Sequence, residues 1–599
     1  MPLSCQNKDE GKCSVRKQVK YELMWTSGQD LQENAEISIH AGRFKPFLTW
    51  KFLNLEFCGA DTLFKWKAFP TPDQVWKNAE MTLIRARLSA SVKAGDSFKI
   101  LITAIPSMWR GVNLDLSARV NGVMEDCPEL TLTANPNVVE RVSLYSTPAE
   151  KHGKIRTVAV AEDRYGNPAF FKHPVAARIS FNGKTEDFVL EEYKTFYHDP
   201  PESTAYASVT VNAGELSIHE AIGNAVRDGC DYVITGNPVG VGFYGKSAVF
   251  GEFHWHTEMS GDGYRSIDDA FFSAKNHLNM DFASASDHST SGGNWEKTVE
   301  ISDKYNDEEF ITFFGWENST DRGHDNYYFT DPDHPLRCGG SADFTGGYPA
   351  QLGERLSQYK DFIAIPHHTN TTAEARHPDT DEPYWREYPI AEPYDFYRLI
   401  EIFQQRGNQE ADEYEDVFKG WHQNNHSSVI DFLNRGYKIG FAGGTDNHQG
   451  WPSRAFSEEE RVLGADHAQK SVILTGVWTD RHDRQSLFDA LYNRHTWAVW
   501  DTRAIAYFDI NGSIMGSDIT AKKGEKLTLN IKIDAEDFFR SIEVVSKDGV
   551  IWSGTRNSLS FEKSIDAVFE ESGYYYVRAV LRNGGIIYIS PVFVDLRKE

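Results

Sequence analysis

Apolar and polar positions follow three successive rhythms along the chain. From about Tyr21 to Val123, short runs such as Ala35-Glu36-Ile37-Ser38-Ile39, Leu83-Ile84-Arg85-Ala86-Arg87-Leu88 and Phe98-Lys99-Ile100-Leu101-Ile102-Thr103 are cut by Gly, Pro, Asn and Asp turns. A two-residue rhythm of this kind predicts the strands of an antiparallel sandwich, placed at residues 21–134 behind a polar tail at 1–20. Asn135-Pro136-Asn137 opens a second sandwich at 135–238, where Arg156-Thr157-Val158-Ala159-Val160-Ala161 runs into the tight turn Asp163-Arg164-Tyr165-Gly166-Asn167-Pro168. Beyond Val239 the rhythm changes. Ser266 can cap a helix whose apolar positions Ile267, Ala270, Phe271, Ala274 and Leu278 recur at helical spacing, and apolar strands alternate with helical segments as far as Asp501. About 260 residues of this pattern suit a parallel (β/α) barrel, which typically takes ~250. Past Asp501 the helical spacing stops. Ala504 to Asn511, Leu527 to Ile533, Ile542 to Ser546 and Tyr574 to Leu581, with turns at Asn511-Gly512 and Asp548-Gly549, predict a C-terminal sandwich at 502–599.

Candidate chemistry is confined to the central region, 239–501. In an extended segment His254 and His256 project to one side while Trp255 points away, which is how two imidazoles converge on one ion. Such pairs arise by chance in a chain with 20 histidines, so the recurrence that follows carries more weight. Gly261-Asp262-Gly263 is an acidic loop, and Asp281 to Ala285 reads as a strand tipped by Asp287-His288. Phe310 to Trp316 ends in Glu317, Phe362 to Pro366 in His367-His368, and Gly440 to Thr445 in Asp446-Asn447-His448. Glu401 sits inside the apolar run Leu399-Ile400-Glu401-Ile402-Phe403, where an unpaired charge is costly to bury and a cation would relieve the cost. A parallel barrel builds its active site at the C-terminal ends of its strands, where these residues would fall. Imidazoles and carboxylates without thiolates suit Zn, Mn or Fe. The number of such residues exceeds what one tetrahedral ion needs, so two or three ions sharing carboxylates are expected. Such a cluster lowers the pKa of a bridging water and polarises the bond to be attacked, which makes metal-assisted hydrolysis the expected reaction class.

The ordered set His254-x-His256, Gly261-Asp262-Gly263, Asp287-His288, Glu317, Pro366-His367-His368, Glu401 and Asp446-x-His448 resembles the polymerase and histidinol phosphatase (PHP) superfamily of metal-dependent hydrolases. Within it, the Gly315-Trp316-Glu317 step, the tail from Ala490-Leu491-Tyr492-Asn493-Arg494 to Val499 and the following Asn511-Gly512 resemble the multidomain branch that includes carbaryl hydrolases. The resemblance implies a central distorted (β/α)7 PHP barrel, TIM-like, flanked by N-terminal and C-terminal immunoglobulin-like sandwiches. It implies up to three divalent ions held by His254, His256, Asp262, His288, Glu317, His368, Glu401, Asp446 and His448, with Asp262, His288, Glu317 and Asp446 also serving catalysis. Glu258 is the alternative to Asp262, and His367 is expected to support His368 as ligand. The implied activity is cleavage of an ester, carbamate or amide of a small organic molecule. Phosphoester hydrolysis at the same site is the alternative, and a non-catalytic binding protein with a structural metal is the reading from another class.

Arg322, His324, Arg406 and Arg454 lie in loops after the strands and could hold an anionic substrate, although each reads equally well as a surface residue. Trp295, Trp385, Trp421 and Trp451 would suit an organic or sugar-like group, or simply pack. A net charge of −25 argues against long nucleic acid as partner, because phosphate affinity comes largely from Lys and Arg. Met1 to Lys20 is polar and no later run is apolar enough to span a bilayer, so the expected location is the cytoplasm, without membrane contact and with a possible homo-oligomer. Cys5, Cys13, Cys58, Cys127, Cys230 and Cys338 form no CxxC pair, which predicts reduced thiols and no zinc ribbon.

Overall fold

Alternating burial sets the architecture of the first 240 residues, as in Val19–Thr26, where Tyr21, Leu23 and Trp25 turn inward. The computed structural model describes residues 3–5, 12–14, 17–42, 50–65, 81–106, 111, 113–124, 130–147, 153–171, 173–211, 231–240, 242–243, 245–260, 263, 265–288, 293–320, 323–338, 354, 356–367, 369, 371–372, 395–405, 407–411, 422–423, 428–455 and 471–598. Two mainly antiparallel sheets of the first sandwich close on a core that includes Trp25, Trp50, Ile84 and Ile102. Residues 3–5 and 12–14 fall in the stretch expected to be a tail, yet each adds a strand: Leu3 pairs with Trp25, and Lys12 with Thr133. A second pair of sheets follows, of three and four strands, with Val158, Ile179 and Val209 fully buried or nearly so.

The central region begins as expected. Strand β1 (Ser247–Glu252) leads through helix α1 (Ile267–Asn276) to β2 (Phe282–Ala283), and through α2 (Asn294–Tyr305) to β3 (Ile311–Thr312), with β1, β2 and β3 parallel. Ser266 caps α1 by accepting from Asp269 N, and Ile267, Ala270, Phe271 and Ala274 are its buried face. From there the pattern departs from a barrel. Strand β4 (Phe314–Thr320) turns straight back into β5 (Gly323–Phe329), and β5 pairs antiparallel with β6 (Ile363–His367). Strand β7 (Leu399–Gln404) is parallel to β8 (Gly440–Gly443), which follows the short helix α3 (Val429–Asn434). Strand β9 (Ser471–Thr479) runs antiparallel to β1, and beyond α4 (Arg484–Tyr492), β10 (Thr496–Trp500) runs antiparallel to β9.

The expected central distorted (β/α)7, TIM-like barrel is therefore not present. Among the described residues there are four α-helices in a predominantly β structure. A parallel neighbour requires a crossover of about a dozen residues or more, usually a helix. Thr320 and Gly323 pair with each other, so β5 runs antiparallel to β4. No described helix is long and apolar enough to cross a membrane.

Nor does the structure change hands at Asp501. Strand β10 pairs with β11 (Ile586–Leu596) at the far end of the chain, so one sheet runs in the order β3-β2-β1-β9-β10-β11 and on through Gly573–Leu581, Phe539–Ser546 and Gly549–Arg556. Its core joins Phe250, Trp478 and Trp497 to Phe508, Leu529 and Val577. Gly476 is needed here, because a Cβ would lie 2.1 Å from the Trp497 ring. Buried Glu410, beyond β7, takes Arg578 Nη1 at 2.8 Å on both oxygens and the Tyr588 hydroxyl at 2.7 Å, which ties the ligand-bearing half to the C-terminal strands. A chain ending at Asp501 should therefore fail to unfold cooperatively, because β10 loses one of its two neighbouring strands and the core is cut through. Trp497→Ala in the full chain should cost about 3–5 kcal/mol in urea unfolding. A sharp urea transition in the truncated chain would show that the sheet has a real break at β10.

Candidate metal centre

Strand ends and reversals around β1 bring nine ligand-type side chains together. Immediately past β1, His254 and His256 face one side while Trp255 is buried in the core. Asp287 holds this turn, accepting from Thr257 N at 2.6 Å, Thr257 Oγ1 at 2.8 Å and Ser260 Oγ at 2.8 Å. Ser260 Oγ in turn lies 3.0 Å from His256 Nδ1 and accepts from His288 N, so His256 and His288 are oriented by one hydroxyl. Glu317 comes from the middle of β4 rather than its end. Directly opposed residues of adjacent strands share a face, so the pairing of Glu317 with Asn326, of Asn326 with Ile365 and of His324 with His367 places Glu317, His324 and His367 together. Glu401 enters from β7. Asp446 and His448 enter past β8, where Asp446 adopts a left-handed φ of 52°. Gly444 permits that approach, since a Cβ there would lie 2.2 Å from Glu401 Oε1 and 2.7 Å from His254 Cβ.

Four overlapping groups result: His254, His256, Glu317 and Asp446; His254, His367 and Glu401; Glu317, His324 and His367; and His256, His288 and His448, each with donor atoms within 4.8 Å of one another. His254 Nε2 and His256 Nε2 lie 3.1 and 3.0 Å from Glu317 Oε2, and His324 Nδ1 and His367 Nε2 lie 2.6 and 3.2 Å from Glu317 Oε1. Asp446 Oδ1 is 3.5 Å from His254 Nε2 and 3.4 Å from His256 Nε2, and Glu401 Oε1 is 2.5 Å from His254 Nδ1. The rings of His256 and His448 stack at 4.2 Å, and those of His256 and His288 at 4.4 Å. All nine are buried except His288 and His324, which are partly exposed.

The donor set fits divalent cations. Glu401 Oε2 is buried with no hydrogen-bond partner, and six imidazoles and three carboxylates share one volume, with no cysteine among the described residues of these groups. Burial and the neighbouring His254 push His367 down to about 3, which leaves it the neutral imidazole that ligates metals. Burial opposes charge on His254, yet Glu401, Asp446 and Glu317 outweigh it and hold its pKa well above the usual value. His256, likewise buried, is raised to about 10 by Asp446 and Glu317. Burial would raise Glu317, but His288, His367, His254 and His256 hold it well below the carboxylate range.

The structure answers the sequence expectations unevenly. His254, His256, His288, Glu317, Glu401, Asp446 and His448 converge. Asp262, Arg322, His368, Arg406, Trp385 and Trp421 lie outside the described residues. Glu258 belongs to none of the four groups. His367, assigned a supporting role, contacts Glu317 directly. His324, assigned to substrate, does the same. Strand alternation could have revealed His367, which shares a face of β6 with Ile363 and Ile365, whereas His324 required knowledge that β5 is antiparallel. Arg454 is corrected outright: it is 2% exposed, with Nη2 2.5 Å from Glu162 Oε1 of the second sandwich, and is not free to hold a substrate. Trp295 donates to the Pro332 carbonyl, and Trp451 is buried in the first sandwich's core; both pack.

The family described as a protein of unknown function, DUF3604, matches residues 263–431. An uncharacterized protein of Chlamydia trachomatis is 27% identical over 225 residues, which are 34% of this chain and 35% of that protein. One of Chlamydia pneumoniae is 22% identical over 257 residues, 39% of this chain and 38% of that one. The chain thus spans little more than a third of the length of these relatives. Among solved structures, a two-domain protein of Bacteroides vulgatus containing a predicted PHP-like metal-dependent phosphoesterase superposes with a TM-score of 0.31 at 14% identity, over 59% of this chain and 97% of that one.

The pKa shifts fix a pH signature. His254 and His256, raised, stabilise the metal-free fold fully below the ordinary histidine value, and that stability is lost as pH climbs through their folded values. Glu317, depressed, stabilises above the ordinary glutamate value, and that stability is lost as pH falls through its folded one. These three groups should therefore together stabilise metal-free protein most between the two ordinary values, from about pH 4.5 to 6.5, against the opposing pull of His367, lowered by burial, and Glu401, raised by burial. Metal must displace the histidine protons, so affinity should rise about tenfold per pH unit for each proton released. Melting curves of chelated protein across pH, with metal titrations at two pH values, check both; pH-independent affinity would mean that these imidazoles carry no protons.

Proposed function

We propose that the chain is a metal-dependent hydrolase. The observation that carries this reading is Glu317, a buried carboxylate within 3.2 Å of imidazole nitrogens from four different histidines, shared between two of the converging ligand groups. The ordered motifs that resemble the PHP superfamily support it. Divalent Zn, Mn or Fe, two or three per chain, would supply Lewis-acid polarisation and activation of water. Glu317 holds the groups in register, and Asp446 and Glu401 balance the cationic charge. His288 and His324, 23% and 21% exposed, are the members of the set that substrate and water can reach. The other seven, buried, keep bulk solvent from the centre, which strengthens every interaction within it.

We place an ester, carbamate or amide of a small organic molecule first as substrate, because Arg454, the described arginine expected to hold an anion, is taken up by Glu162. Phosphoester cleavage at the same centre is the second reading. A screen of p-nitrophenyl esters and phosphoesters on metal-loaded protein distinguishes them, and metal counting by mass spectrometry should find at least two ions. Loaded protein inert to the whole screen would leave a structural metal site in a binding protein. On any substrate found, Asp446→Asn and His448→Ala should each lower turnover per bound metal by ~100-fold or more, since misplaced reacting groups cost at least that much. Near wild-type turnover in both variants with normal metal content would put the active site elsewhere.

A further inference from the structure

The loop Thr445 to Arg454 delivers two of the nine ligand-type side chains, and part of its support comes from outside the loop. Glu252, on β1, accepts from Thr445 N at 2.8 Å, Thr445 Oγ1 at 2.7 Å and Ser453 N at 2.7 Å, so one buried carboxylate gathers both ends of the loop. Asn447 braces the interior, donating to Thr445 Oγ1 and the Trp451 carbonyl while its own carbonyl accepts from His256 N. Asp446 and Ser453 both sit at positive φ, 52° and 58°, a conformation a non-glycine residue keeps only when its surroundings hold it there.

Besides these contacts within the central region, the loop has two anchors in the sandwiches. Trp451, fully buried, packs into the core of the first sandwich under the guanidinium of Arg265, 4.0 Å from its ring centre. Arg454, six residues from His448, reaches into the second sandwich. Its Nη2 lies 2.5 Å from Glu162 Oε1 and 3.4 Å from Tyr145 Oη, and the Gly166 turn closes over the guanidinium. Glu162 is held by Arg141 and by Ser143 Oγ at 2.6 Å. The pair is buried on both sides, at 2% and 1% exposure, so removing Glu162 leaves the Arg454 guanidinium without its carboxylate where water cannot reach it. That penalty falls on a strained loop whose other end carries Asp446 and His448.

We propose that Glu162 of the second sandwich is a positioning residue for the metal centre, acting through Arg454 on Asp446 and His448. This rests on the metal reading of those residues. It gives the sandwich a specific part in ion affinity rather than a general part in stability. The two parts can be separated, because the same sandwich also docks on the central region through contacts that include neither Glu162 nor Arg454: Arg156 donates to the Lys275 carbonyl at 3.0 Å and to Asn279 Oδ1 at 2.9 Å.

The test uses the full chain loaded with cobalt(II), with the ion titrated away by a competing chelator and the loss followed by visible absorption. Glu162→Gln should weaken retention of the least tightly held ion by tenfold or more, whereas Arg156→Met, which loosens docking elsewhere, should change it by less than about twofold even where the two variants lose melting temperature equally. Arg454→Lys, which keeps the charge, should fall between wild type and Arg454→Met; this graded series carries the test if Glu162→Gln does not fold. Equal weakening in Glu162→Gln and Arg156→Met, unchanged retention in folded Glu162→Gln, or no gradation across the Arg454 series would each overturn the proposal while leaving the metal centre intact. Wild-type chain that takes up no cobalt, zinc or manganese would instead defeat the metal reading, and the proposal with it.

Discussion

Burying Glu317 among imidazoles is the constraint on which the rest of the structure depends. A carboxylate taken out of water costs several kcal/mol unless matched by positive charge and hydrogen bonds. Here the match comes from His254, His256, His324 and His367, carried by three different stretches of backbone. Six imidazoles so close together cannot all hold protons, and three carboxylates cannot balance them at every pH. Bound divalent cations would resolve the conflict from both sides, replacing protons on the imidazoles and neutralising the carboxylates. Ligands drawn from β1, β4 to β8 and the intervening turns stay convergent only while each strand is held in register by its neighbours.

That register is maintained from outside the central region. The sheet that begins at β3 and passes through β1 finishes in strands drawn from residues 539–596, and Glu410 fastens β7 to two of those strands through Arg578 and Tyr588. On the other side, the first sandwich receives Trp451 and the second receives Arg454. A division into a catalytic barrel and independent flanking modules does not describe this molecule. The central region lacks a closed barrel to hold itself together, and its neighbours supply part of the packing that closure would have provided.

Legibility in the sequence differed by the range of the interaction involved. The capped helix after Ser266, the turn at Asp163 and the convergent pair His254 and His256 depend on neighbours a few residues away, and each stands as read. Strand β5 was missed because Gly323-His324-Asp325-Asn326 is polar and looks like a loop. It is a strand because it lies between two apolar ones that leave its backbone no other partners. Arg454 looked like a surface arginine because Glu162, its partner, is nearly three hundred residues away in the chain.

The sequence by itself determined the chemistry available: histidines and carboxylates without thiolates, placed after apolar runs, and the two-residue rhythm of the sandwiches. Those properties are carried by side-chain type and by the period of a strand, which need no knowledge of what lies alongside. Only the tertiary structure decided that β5 and β9 run against their neighbours, that His324 and His367 join Glu317, that Arg454 serves Glu162 and that no boundary falls at Asp501. A strand's period tells which side chains share a face but not which strand that face meets or in which direction, and pairing between segments hundreds of residues apart is settled by the burial of the whole core.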